Sequence, residues 1–136
     1  MITALAHVCV LSHDLQTTEK FYCDGLGLKK QFSFIKDDEI VGFYLNFGND
    51  SFIEIFKTDK PLTESDNTAI KHVCLEVDDI HATIERLRSK GIEVSDKKMG
   101  ADQSWQAWLK DPSGMPIELH EYTEQSSQKT CNDCIL

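Results

Sequence analysis

The chain has 136 residues, 40% of them apolar and 27% charged, with 7 glycines and 3 prolines. That is enough for one packed domain, and it excludes collagen-like, low-complexity and wholly disordered classes. The net charge of −9 disfavours a nucleic-acid backbone or an anionic membrane as the main partner, since like charges repel, and leaves a small molecule as the expected one.

No apolar run approaches the roughly 18 residues that span a bilayer. Met1-Ile2-Thr3 leads directly into strand-like sequence, so the expected location is cytoplasmic. The five cysteines (Cys9, Cys23, Cys74, Cys131 and Cys134) are odd in number and read as reduced thiols.

Taken in order, residues 4–11 form a β-branched apolar run, hence a strand, and Asp14 stands where a helix N-cap belongs. That helix stops at Gly25 or Gly27, and strand-like stretches follow at 29–35, 40–47 and 51–57, with a turn at Gly48-Asn49-Asp50. Residues 58–69 are polar, carry Pro61 and lack periodicity, which makes them a linker. A strand over 70–77 precedes Asp79, again at an N-cap position, and Ile80, Ile84 and Leu87 recur at helical spacing. Arg86, Arg88 and Lys90 gather where the helix dipole favours cations, before a stop at Gly91. Strands are then expected at 92–97, 104–110 and 116–122, with a turn at Asp111-Pro112-Ser113-Gly114. Residues 125–136, in a polar stretch that begins at Glu124, read as a flexible tail.

The chain repeats itself once. His7-Val8-Cys9-Val10 returns as His72-Val73-Cys74-Leu75, and Asp14-Leu15 as Asp79-Ile80, both at an offset of 65 residues. Ile53-Glu54-Ile55 returns as Ile117-Glu118-Leu119. Each half therefore reads β-α-β-β-β, module one over 1–57 and module two over 70–124, and the fold class is α+β.

Side chains alternate faces along a strand, so parity decides which residues can meet. His7 falls with Cys9 and Leu11, His72 with Cys74 and Glu76, Glu54 with Phe52 and Phe56, and Glu118 with His120 and Tyr122. The aliphatic residues between them belong against the helices. Two histidines and two carboxylates are left on the other face of largely apolar strands, where unpaired charge is costly. Any one of the four alone reads more readily as a hydrogen-bonded core histidine or an exposed edge carboxylate than as a ligand. Together, duplicated by the repeat, His7, Glu54, His72 and Glu118 suit one divalent ion such as Zn²⁺, Ni²⁺, Co²⁺, Mn²⁺ or Fe²⁺. Phe56 and Trp108 read as cleft-lining or plain core aromatics, and His120 as a substrate contact or an orienting partner of a ligand. Cys131 and Cys134 are CxxC in form but stand in the polar tail without a partner pair, and read as incidental.

In the segments AHVCV, DLQTTEKFYCDGLGLK, KHVCLEVDDI and KDPSGMPIELHEY the chain resembles the vicinal-oxygen-chelate superfamily, whose branches include glyoxalase I, methylmalonyl-CoA epimerase, extradiol dioxygenases and bleomycin-resistance proteins. The resemblance runs to about Tyr122 and implies paired βαβββ modules forming a cup-shaped mixed sheet with helices on its convex face. It also implies a homodimer. The ligand order His, Glu, His, Glu looks most like glyoxalase I, and implies a metal-dependent lyase or isomerase working through an enediolate, with Glu118 as base and Glu54 serving the opposite face. Leu11 and Thr58 stand where glyoxalase I carries an arginine and an asparagine that hold glutathione, so a smaller or less anionic substrate is expected. The alternative is a drug-binding protein without turnover, with Phe56 and Trp108 lining its cleft.

Overall fold

The computed structural model describes residues 1, 4–62 and 69–135 and divides into two compact units, Met1–Glu64 and Ser65–Leu136. Positions 63–68 of the expected linker lie outside the described residues.

The first unit runs β1 (His7–Ser12), α1 (Leu15–Lys20), a π-helical turn (Phe21–Gly25), β2 (Lys29–Lys36), β3 (Glu39–Gly48) and β4 (Ser51–Lys57). Its sheet has the order β1-β4-β3-β2, with β1 parallel to β4 and the other pairs antiparallel. Asp14 caps α1 by accepting from the Thr17 amide at 3.0 Å, and a buried hydroxyl pair, Ser12 with Thr18 at 2.7 Å, ties the helix to β1. Val10, Phe43, Leu45, Ile53, Ile55 and the π-turn's Tyr22 form the core. The β3–β4 turn places Asn49 and Asp50 at φ of 52° and 55°, a left-handed pair whose twist matches that of the strands it joins.

Gly42 of β3 lies under the Phe56 ring. A Cβ there would stand 2.8 Å from Phe56 Cδ1 and strike the Ile55 carbonyl oxygen, so the close approach of ring to backbone requires glycine.

The second unit runs β5 (Val73–Glu76), α2 (Ile80–Ser89), β6 (Lys98–Met99), β7 (Trp105–Lys110), β8 (Pro116–Glu121) and α3 (Ser127–Thr130). Its order, β5-β8-β7-β6, repeats that of the first unit, again with a parallel outer pair. Asp79 accepts from the Ala82 amide at 2.9 Å to start α2, and Ile80, Ile84 and Leu87 are buried with Ala107, Leu109, Ile117 and Leu119 of the sheet. Gly91, at φ +77°, ends the helix in the left-handed conformation. Two four-stranded mixed sheets with few helices make the fold α+β, each unit in the expected βαβββ order.

Three boundaries differ from the sequence reading. Residues 92–97 are not a strand: Ser95 donates its amide to the Trp108 carbonyl at 2.9 Å, but its Oγ then accepts the Trp108 amide at 2.9 Å, so a side chain stands in for the ladder carbonyl. The adjoining Val94 carbonyl is taken by the Arg88 guanidinium at 2.8 Å, which leaves a two-residue β6. The strand read over 70–77 shortens to Val73–Glu76, so His72 precedes it. The beginning of the tail is anchored. Ser126 is fully buried, Ser104 Oγ donates to its Oγ at 2.8 Å, the Ser127 amide donates to the Asp102 carbonyl at 2.8 Å, and Gln128 Nε2 donates to Asp102 Oδ2 at 2.7 Å. Hydroxyls and amides do this docking, which leaves no apolar pattern to read.

Candidate functional site

In the first unit Val10 and Ser12 of β1 and Ile53 and Ile55 of β4 are buried, while His7, Cys9, Phe52, Glu54 and Phe56 occupy the opposite, partly open face. Parallel pairing sets Cys9 directly opposite Glu54. His7 Nε2 lies 3.9 Å from Glu54 Oε2, and His7 Nδ1 is hydrogen-bonded to the Tyr44 hydroxyl at 2.9 Å. Tyr44 therefore fixes the ring through one nitrogen and leaves the other toward the carboxylate.

Phe32 stacks on Tyr44 with centroids 4.8 Å apart, and Phe34 on Phe56 at 4.6 Å, making one aromatic surface beside the His7–Glu54 pair. Tyr44 is missed by the sequence reading for a definite reason. A simple two-residue hairpin would set Leu45 opposite Glu54, and the register shift between Asn46 and Gly48 moves the pairing by one residue, which brings Tyr44 there instead.

The second unit carries the matching pair more tightly. His72 Nε2 is 3.2 Å from Glu118 Oε2, and the His72 ring meets Trp108 edge-on at 5.0 Å. Trp108 and Cys74 flank Glu118 on the two neighbouring strands. Trp108 also lines an open groove with Glu93, Val94, Ser95, Lys110 and Pro116. Glu118 is only 8% exposed, and an imidazole nitrogen stands near each of its oxygens, His72 Nε2 at Oε2 and His120 Nδ1 3.6 Å from Oε1. His120 is itself buried, with Nε2 3.3 Å from Asp102 Oδ2 but out of hydrogen-bond alignment.

Both cross-strand thiols are suppressed as acids. Burial, then the hydrogen bond to Glu54 and its charge, push the Cys9 thiol up to about 11. For Cys74, burial, then the charge of Glu118 and the hydrogen bond to it, push the thiol up to about 12. Burial works against ionisation of Asp102, but hydrogen bonds from Gln128 and Ser104 outweigh it and hold the carboxyl below its usual range.

The structure thus joins His7 with Glu54 and Phe56 in one unit, and His72 with Glu118, Trp108 and His120 in the other. Tyr44, Cys9, Cys74 and Asp102 complete those surroundings. An imidazole nitrogen and a carboxylate oxygen in each unit are donors suited to a borderline divalent ion, and the nearly dehydrated Glu118 carboxylate is a group that a cation would satisfy.

The family model for the Glyoxalase/Bleomycin resistance protein/Dioxygenase superfamily matches residues 6–109. The chain belongs to this superfamily. Within it, the chain is 30% identical over 127 residues to a probable lactoylglutathione lyase of Synechocystis sp., covering 85% of this chain and 92% of the relative. It is 30% identical over 128 residues to the mitochondrial methylmalonyl-CoA epimerase of Mus musculus, covering 86% and 72%. Among solved structures, TnmS3, an antibiotic binding protein from Streptomyces sp. CB03234, superposes with a TM-score of 0.73 at 20% identity, over 90% of this chain and 98% of that one. The superfamily's small-molecule chemistry agrees with the partner class expected from charge.

Proposed function

We propose that this protein is a divalent-metal-dependent lyase or isomerase acting on a small substrate with adjacent oxygens, with His7, Glu54, His72 and Glu118 as the metal ligands. The observation that carries this reading is the recurrence of the same His–Glu pair at equivalent sequence positions of both βαβββ repeats, at 3.9 Å and 3.2 Å. The bound ion would supply Lewis-acid polarisation of the substrate oxygens, lowering the cost of negative charge there.

Glu118 is the base. The His72 imidazole, 3.2 Å from Oε2, orients this buried carboxylate. Glu54, on the more open face of the first unit, serves the opposite face of the substrate, while Phe56 and Trp108 exclude water beside the reacting carbon. The lyase and epimerase relatives both support a proton-transfer reaction.

The test is proton exchange in D₂O with the metal-loaded protein and hemithioacetals of methylglyoxal formed with glutathione and with smaller thiols. Exchange at the carbon beside the carbonyl, lost in Glu118→Gln, is the expected result.

A second reading, ligand binding without turnover, rests on the aromatic surface of Phe32, Phe34, Tyr44 and Phe56 and on the likeness to an antibiotic binding protein. Tight binding of an aromatic ligand by metal-free protein, with no exchange in the loaded form, would favour it.

A further inference from the structure

Cys74, Glu118 and His120 each offer a donor atom, and these atoms lie within 4.8 Å of one another inside the second unit. Neither Cys74 nor His120 belongs to the ligand set proposed above. The surroundings of His120 point further. A histidine that holds a metal through one ring nitrogen commonly directs its other N–H at a carboxylate, which sets the tautomer and the ring plane. Such a carboxylate is present: Asp102 Oδ2 lies 3.3 Å from His120 Nε2, and Asp102 is pinned by Gln128 Nε2 at 2.7 Å and by the Ser104 amide at 3.2 Å.

His120 Nδ1 lies 3.6 Å from Glu118 Oε1, beyond hydrogen-bond reach, on the side where Cys74 stands. His120 is 7% exposed, its Nε2 has no aligned hydrogen-bond partner, and Glu118 is 8% exposed. A cation held among the three donor atoms would engage them all. Tetrahedral ligation by nitrogen, oxygen and sulfur sets donor atoms roughly 3.3–3.8 Å apart, a contraction within reach of side-chain rotation.

We infer that the second unit holds a thiolate-containing cation site of its own, formed by Cys74 Sγ, Glu118 and His120 with Asp102 orienting the imidazole, and selective for thiophilic divalent ions such as Zn²⁺ or Cd²⁺. On binding, the sulfur–metal bond forms as the Cys74 S–H proton leaves to solvent, with no change of oxidation state. The site shares Glu118 with the proposed four-ligand set but does not depend on that set.

The test titrates the full chain carrying Cys131→Ser and Cys134→Ser with Cd²⁺ alone, following the ultraviolet thiolate-to-cadmium charge-transfer band. The expected result is a saturable band that is abolished by adding Cys74→Ser, unaffected by adding Cys9→Ser, and shifted to roughly tenfold or more higher Cd²⁺ by Asp102→Asn, which removes no ligand. His120→Asn should weaken binding further, with circular dichroism unchanged. A band that survives Cys74→Ser, disappears with Cys9→Ser, or ignores both His120→Asn and Asp102→Asn overturns the inference. His7→Ala separates the two proposals, because it breaks the four-ligand set and must leave this band intact.

Discussion

At the scale of single residues, the two glutamates occupy unequal settings. Glu118 is nearly dry and lies between two imidazoles, whereas Glu54 lies partly open beside one. Replacing Glu118 by Gln should abolish proton exchange while weakening metal binding less than His72→Ala does, because an amide oxygen still coordinates but cannot take a proton. Full turnover in Glu118→Gln would contradict the base assignment. The thiols give a second outcome. In metal-free protein at neutral pH, Cys9 and Cys74, exposed but held at about 11 and about 12, should alkylate more slowly than Cys131 and Cys134, which are exposed too, as peptide mapping after a short iodoacetamide pulse would show. The sign for stability follows. Raised folded-state values favour the protonated thiols, so their contribution is complete below the ordinary 9.0 and is lost as pH climbs toward 11 and 12.

At the scale of elements, the N-caps and the tight glycine decide whether strands and helices meet as described. Hydrogen bonds from the Thr17 amide and hydroxyl hold the Asp14 carboxyl below its ordinary 3.8. A lowered folded-state value stabilises above 3.8 and fades as pH falls, so the stability difference between the native protein and Asp14→Ala should narrow below about pH 4, as urea melts across pH would record. Gly42→Ala should cost about 1–3 kcal/mol or more in the same assay, since the new methyl meets backbone as well as the Phe56 ring. Much of this level is legible in sequence: the 65-residue offset duplicates the strand–helix start, aspartates and glycines bracket α2, and strand parity sets His7 and Glu54 on one face. The rest hides for physical reasons. Ser95 replaces a ladder carbonyl with its own hydroxyl, one register shift exchanges Leu45 for Tyr44 opposite Glu54, and the tail docks through Ser126 and Gln128 without any apolar periodicity. Asp102 comes from a turn, where no periodicity points to a partner such as His120.

At the scale of the whole molecule, each four-stranded sheet ends in edge strands, β1 and β2 in one unit and β5 and β6 in the other, whose unpaired backbone groups favour association. A homodimer is the expected state, and light scattering at micromolar concentration that shows only a 15.5 kDa species would exclude it. Substrate preference belongs to this scale too. If Leu11 and Thr58 take the positions of the cationic and polar glutathione anchors that the resemblance to glyoxalase I implies, then with a net charge of −9 glutathione hemithioacetal should be used at least about a hundredfold less well than a hemithioacetal of a smaller, uncharged thiol. Comparing kcat/KM for the two substrates checks this. His7, Glu54, His72 and Glu118 are proposed to hold a single metal ion. The Co²⁺ or Ni²⁺ retained after dialysis by the native protein, His7→Ala and His72→Ala, measured by plasma emission, tests this. One ion per chain in the native protein and near-complete loss in each single variant is the expected result, and undiminished retention in both variants would rule the shared site out.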